Sequence, residues 1–176
     1  MNRMSARTIA ALQDAVEDQA VVDRYWSFVS TSVTDRGCRL WTGAVTGKGH
    51  GRLWLANYPV ELDGRTVVRD VAVIAHRFGF ALANGVGALL RAPQITHRCD
   101  EPLCQEPGHF KVGTNSTNQA EYWSRRLVPE SPLRDTRGAR GRSVAMRDAA
   151  RTGEDLVAAD RAGRPLSDLL QDRLPL

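Results

Sequence analysis

Four side chains with metal-binding chemistry lie close together in the run His97-x-Cys99-x4-Cys104-x4-His109. Zinc prefers thiolate sulfur and imidazole nitrogen in a tetrahedron, and short loops between ligands let one segment wrap the ion. Cys99, Cys104 and His109 supply three ligands from this segment, so a fourth must come from another position. Cys38 is the remaining cysteine of the chain; the competing set uses His97 in its place. With Cys38 the result is a closed Cys3His site, which is structural rather than catalytic. Such a site contributes on the order of 10 kcal/mol to the folding of a small module. Three cysteines, an odd number, also argue against a disulfide framework.

If Cys38 completes the zinc site, His97 is left free for chemistry, two residues before a ligand and therefore rigidly held. An imidazole with an ordinary pKa of about 6.5 is largely a free base at neutral pH. It can take a proton from a water attacking a phosphodiester. Asn118 falls in the first turn of the helix expected after this segment. Its amide oxygen is a hard, neutral ligand suited to Mg²⁺ or Mn²⁺, and a helix N-terminus favours phosphate.

The elements that must hold these groups follow from pattern. Residues 5–30 read as a helix with a break, capped by Ser5 and carrying apolar stripes at Ile9, Leu12 and Val16, then at Val22, Tyr25, Trp26 and Val29. Residues 36–69 have strand-and-turn composition, with short strands at 39–42, 52–55 and 66–68 between glycines. Residues 71–83 return to helical spacing through Val71, Ile74, Phe78 and Leu82, and Asn84-Gly85 stops the helix. The stretch 95–112 is too rich in proline and glycine for a long helix and reads as a bent hairpin. A helix capped by Thr114 or Asn115 then runs to about Arg126.

The chain divides into a helical extension over 1–24, a central domain over 25–126, an Arg/Pro/Gly-rich linker over 127–142 and a helical arm over 143–176. No apolar run approaches the ~18 residues of a membrane span, and the acidic turn of the N-terminus is unlike a signal peptide. The expected location is therefore the cytoplasm. A net charge of +4, almost all of the basic side arginine, fits a nucleic-acid partner without requiring one. From Arg125 to Arg151 eight arginines (125, 126, 134, 137, 140, 142, 147 and 151) face three acids. They read either as a solvated linker or as a strip contacting backbone phosphates.

Taken together, His97-Arg-Cys99-Asp-Glu-Pro-Leu-Cys104-Gln-Glu-Pro107-Gly-His109-Phe, then Gly113-Thr114, then Asn118, resembles the phage-type HNH (ββα-metal) endonucleases and the related His-Cys box homing endonucleases. The likeness extends back through Ala75-His76-Arg77, Gly49-His50-Gly51-Arg52, Gly37-Cys38-Arg39-Leu40-Trp41-Thr42-Gly43 and Tyr25-Trp26-Ser27-Phe28-Val29. The resemblance implies an α+β fold with a ββα-metal core, structural zinc and helical extensions at both ends. It implies divalent-metal-dependent cleavage of double-stranded DNA, with His97 as general base and Asn118 on the catalytic magnesium or manganese. Cys38, Cys99, Cys104 and His109 then hold structural zinc. An arginine on the scissile phosphate is also implied, for which Arg52 and Arg65 are the candidates. His76 and Arg77 match a recurrent pair that packs the helix and lines the DNA side. His50 stands where tyrosine is usual, Glu121 where an aspartate often follows the asparagine, and 85–93 is a greasy insertion.

Two strand cuts would need a homodimer or a second event. The C-terminal Gln171-Asp172-Arg173-Leu174-Pro175-Leu176 resembles the short peptide with which replication proteins dock on the bacterial sliding clamp; the plainer reading is the frayed end of a helix. A zinc-stabilised DNA-binding protein without catalysis and an RNA-directed nuclease are the alternatives to a DNA endonuclease. Sequence leaves the target, the cleavage pattern and a homing, restriction or packaging role open.

Overall fold

Ser5 and Asp18 divide the N-terminal helical region into two. In a computed structural model, which describes residues 4–171 and gives the backbone alone at 56–62, 69, 170 and 171, Ser5 accepts from the Thr8 amide and starts α1 (Ala6–Glu17). Asp18 accepts from the Ala20 amide and starts α2 (Gln19–Ser27). A carboxylate cap satisfies amides that a continuous helix would bond internally, and so sets the break there. Ala11, Leu12 and Ala15 on α1, with Val21 and Tyr25 on α2, are buried.

Three two-stranded antiparallel sheets follow. β1 (Val29–Val33) pairs with β2 (Arg39–Trp41). β3 (Arg52–Leu62) pairs with β4 (Arg65–Ile74) in a long ribbon turned at Asp63-Gly64, with Arg52 opposite Ile74 at its base and Leu62 opposite Arg65 at its tip. A register shift between Trp54 and Ala56 marks a bulge, and the Arg24 side chain donates to the Trp54 and Leu55 carbonyls there. Residues 71–74, expected as the first turn of a helix, are strand, and α3 (Ala75–Asn84) begins only after them. Val71 and Ile74 fit a helical period while Val71 and Val73 fit a strand's, and β-branched Val67, Val68, Val71 and Val73 pairing along β3 decide for the strand. The insertion at 85–93 forms α4 (Val86–Arg91), with Leu89 buried.

β5 (Gln94–His97) and β6 (Phe110–Gly113) form the expected hairpin, with His97 opposite Phe110. Thr114 then caps α5 (Asn115–Arg126) in a reciprocal capping box with Thr117. Beyond it the last five residues assigned to the linker are helical, in α6 (Gly138–Thr152); α7 (Leu156–Arg161) and α8 (Leu166–Gln171) follow. The fold is mixed α and β with small sheets around one core. Tyr25, Trp41 and Phe78 stack at its centre, Leu12, Leu40, Leu53, Leu55 and Leu103 surround them, and Met146 of α6 is buried with them. No helix among the described residues is long and apolar enough to cross a membrane. The clamp-like tail lies outside the described residues from Asp172 onward.

Candidate metal centre and active site

β2 lies against the loop between β5 and β6. The Trp41 amide donates to the Leu103 carbonyl at 2.8 Å, the Gln105 amide to the Arg39 carbonyl at 2.8 Å, and Leu40 bridges Cys104. This ladder carries Cys38, distant in sequence, to the side of Cys104. The ligand atoms of Cys38, Cys99, Cys104 and His109 all lie within 4.8 Å of one another. His109 Nδ1 is 3.3 Å from Cys104 Sγ and 3.7 Å from Cys38 Sγ. A tetrahedron built with ordinary zinc–sulfur and zinc–nitrogen bonds has edges of about 3.5 Å, so the donor set fits a metal such as zinc. Contacts with Cys38 and Cys99, and burial, push the Cys104 thiol up. The Glu106 amide donates to Cys104 Sγ, 3.4 Å away.

His97 is not a member of this cluster. It is buried at the end of β5, and its Nε2 lies 3.1 Å from the Cys104 carbonyl. A carbonyl can only accept, so Nε2 carries the proton and Nδ1 has the free lone pair. Burial pushes its pKa down to about 4 and so keeps the ring neutral at pH 7, although the Cys104 carbonyl pulls the other way. His76 packs edge-on against His97 with ring centroids 4.7 Å apart, and Phe110 meets the same ring edge-on at 5.7 Å. His76 is itself buried, its Nδ1 has no partner among the described residues, and burial drives its pKa well down. His50 stands behind it, 5.4 Å away.

Asn118 sits in the first turn of α5, half-buried, and its side-chain amide makes no hydrogen bond among the described residues. Two tethers hold α5 back on the hairpin, Lys111 with Glu121 and Arg125 with Asp100 at 3.0 Å, and Arg125 also pairs with Glu121 within the helix. Glu121, noted in sequence as a departure, is thus a structural carboxylate.

The two candidate arginines part company. Arg52 is at the base of the ribbon, beside the start of α3, with its guanidinium 4.2 Å above the Trp54 ring. Arg65 is at the tip, nine positions along the strand from Ile74 and so about 30 Å from the base; it is not brought to His97. The arginine strip is largely consumed internally. Arg125, Arg134, Arg137, Arg142 and Arg147 each form an ion pair with a carboxylate. Sequence reasoning missed Glu101, a buried carboxylate inside the ligand loop that pairs with Arg142 of α6 at 3.0 Å. Its only signal was a charge between two ligands.

No family model matches the chain, and no solved structure matches it. It is similar to Protein 2.8 of Escherichia phage T7, 32% identical over 89 residues that make up 51% of this chain and 51% of that protein. It is also similar to Protein 7.7 of the same phage, 27% identical over 84 residues, 48% of this chain and 53% of that protein. The chain thus spans about half the length of the curated relatives it matches. Both relatives are phage proteins.

Proposed function

We propose that this protein is a divalent-metal-dependent DNA endonuclease of the HNH type, with Cys38, Cys99, Cys104 and His109 holding structural zinc and His97 acting as general base. The observation that carries the reading is the hydrogen bond from His97 Nε2 to the Cys104 carbonyl. It fixes the tautomer with a bare Nδ1, and it ties the base to a loop that the metal cluster makes rigid.

Nδ1 takes a proton from water as the water oxygen bonds to phosphorus, and one ester P–O bond breaks. Burial opposes the charged imidazolium, but a phosphate anion beside the ring works in the opposite direction and lowers the cost as the proton arrives. His76 and Phe110 hold the ring plane, so the lone pair keeps one direction. Asn118, unpaired at the start of α5, offers its amide oxygen to a divalent cation, which would supply positive charge to the departing oxygen. Arg52 is the arginine at the base of the ribbon that can meet the phosphate.

The test is cleavage of supercoiled plasmid with added Mg²⁺ or Mn²⁺, comparing wild type with His97→Ala, each checked for bound zinc. Wild type should nick or linearise the plasmid, and the zinc-loaded variant should lose about 10²–10⁴-fold of that rate. Undiminished cleavage by His97→Ala would overturn the assignment. Duplex binding by the wild type without metal-dependent cleavage would make this a zinc-stabilised DNA-binding protein.

A further inference from the structure

Arg52 and Arg77 both line a groove of about 230 Å³ between α1 and the base of the β3–β4 ribbon. β4 residues Ala72–Ile74 form its floor, and Thr8 of α1 and Thr46 stand on its walls. Neither guanidinium has a carboxylate partner among the described residues. Arg77 Nε is buried with no hydrogen-bond acceptor, and burial alone acts on its charge. An uncompensated, half-buried cation is costly, and a fold keeps one where a ligand brings the counter-charge. The Thr46 hydroxyl oxygen accepts from the His50 amide at 3.1 Å, which leaves its hydrogen to donate outward. Two cations and hydroxyl donors, with no acid among the lining residues, are complementary to a phosphodiester.

We propose that this groove binds a backbone phosphate of the nucleic acid beside the scissile one, with Arg77 as its principal contact, Arg52 shared between the two phosphates and α1 as its outer wall. The inference rests on the nuclease reading and gives the N-terminal helix a role in that function. The position fits. Arg77 follows His76 in α3, and the His76 ring lies 4.7 Å from the His97 ring. A strand running from His97 toward α1 would place a neighbouring phosphate there.

The experiment is fluorescence anisotropy of a labelled DNA duplex with zinc-loaded full-length protein and no added magnesium, over a salt series. Arg77→Gln, Arg77→Lys and the distant exposed Arg151→Gln are compared with wild type. Arg77→Gln should weaken binding about 10-fold and reduce the slope of log K against log salt by about one, as for one lost phosphate contact. Arg77→Lys should restore the slope, and Arg151→Gln should match wild type. Wild-type affinity and slope in a folded Arg77→Gln would overturn the proposal and leave the nuclease reading standing. If Arg77→Gln does not fold, Thr46→Val reads the same site, with unchanged affinity and slope counting against it. If wild type binds no duplex, the nuclease reading falls. The groove is then judged by inorganic phosphate: a melting shift in wild type that Arg77→Gln loses supports an anion site, and no shift overturns it.

Discussion

Whether an imidazole serves as ligand or base depends on what its two nitrogens already hold. His109 Nδ1 faces two thiols, whereas His97 spends Nε2 on a carbonyl and keeps Nδ1 bare. The two should therefore separate in a metal assay. Cys38→Ser should lose bound zinc and melt at lower temperature, while His97→Ala keeps its zinc; elemental analysis with a thermal melt checks both. Asn118→Ala should lower magnesium-dependent cleavage by about 10²-fold with an unchanged melting temperature, since its side chain holds nothing together among the described residues; plasmid cleavage beside a melt reads this. Gly79 is different in kind. A Cβ there would overlap the Tyr25 hydroxyl, which donates to Gln105 at 3.0 Å. Gly79→Ala should destabilise by about 1–3 kcal/mol through overpacking, measured by urea unfolding.

At the scale of elements, the ligand loop is clamped from two sides. β2 supplies a ladder that delivers Cys38, and α6 supplies Arg142. That guanidinium is buried among Glu101 at 3.0 Å, Asp160 at 2.6 Å and Asp135 at 3.4 Å. A buried pair adds little over an apolar one, but removing one partner strands the other charge. Arg142→Met strands Glu101, while Asp135 keeps Arg137 and Asp160 keeps Arg164, and should cost about 3–5 kcal/mol, read by chemical unfolding. The same variant should release zinc to a chelator faster, because Glu101 lies between Cys99 and Cys104. α5 is held differently, by exposed and half-exposed ion pairs at Lys111 and Arg125, which salt weakens. Its seating, and with it the position of Asn118, is the part of the site most open to adjustment.

At the scale of the molecule, the C-terminal region does not behave as an appendage. Met146, Ala149 and Leu156 are buried in the common core, and Gly49 approaches the Ala139 carbonyl and the Ser143 hydroxyl closely. A chain ending at residue 137 should therefore fail to fold as the full chain does, losing cooperative thermal unfolding and zinc retention; a melt of the truncated protein tests this. The net charge of +4 says little about where nucleic acid would lie. The arginine-dense stretch is mostly paired, while sparser Arg52 and Arg77 line one groove with no carboxylate partner among the described residues.

Sequence by itself determined the local pieces: the cap at Ser5, the hairpin over 95–112, the capped helix after it, and the short-range candidate ligands Cys99, Cys104 and His109. These depend on spacings within a turn or a loop, where residue type limits the backbone. The tertiary structure alone placed Cys38, because a backbone ladder between residues far apart brought it in. It alone moved 71–74 from helix to strand, since both periods fit four residues and cross-strand pairing chooses. It alone distinguished Arg52 from Arg65, and paired arginines from free ones. A charge in a sequence carries no record of its partner, and the partner follows from how the elements pack.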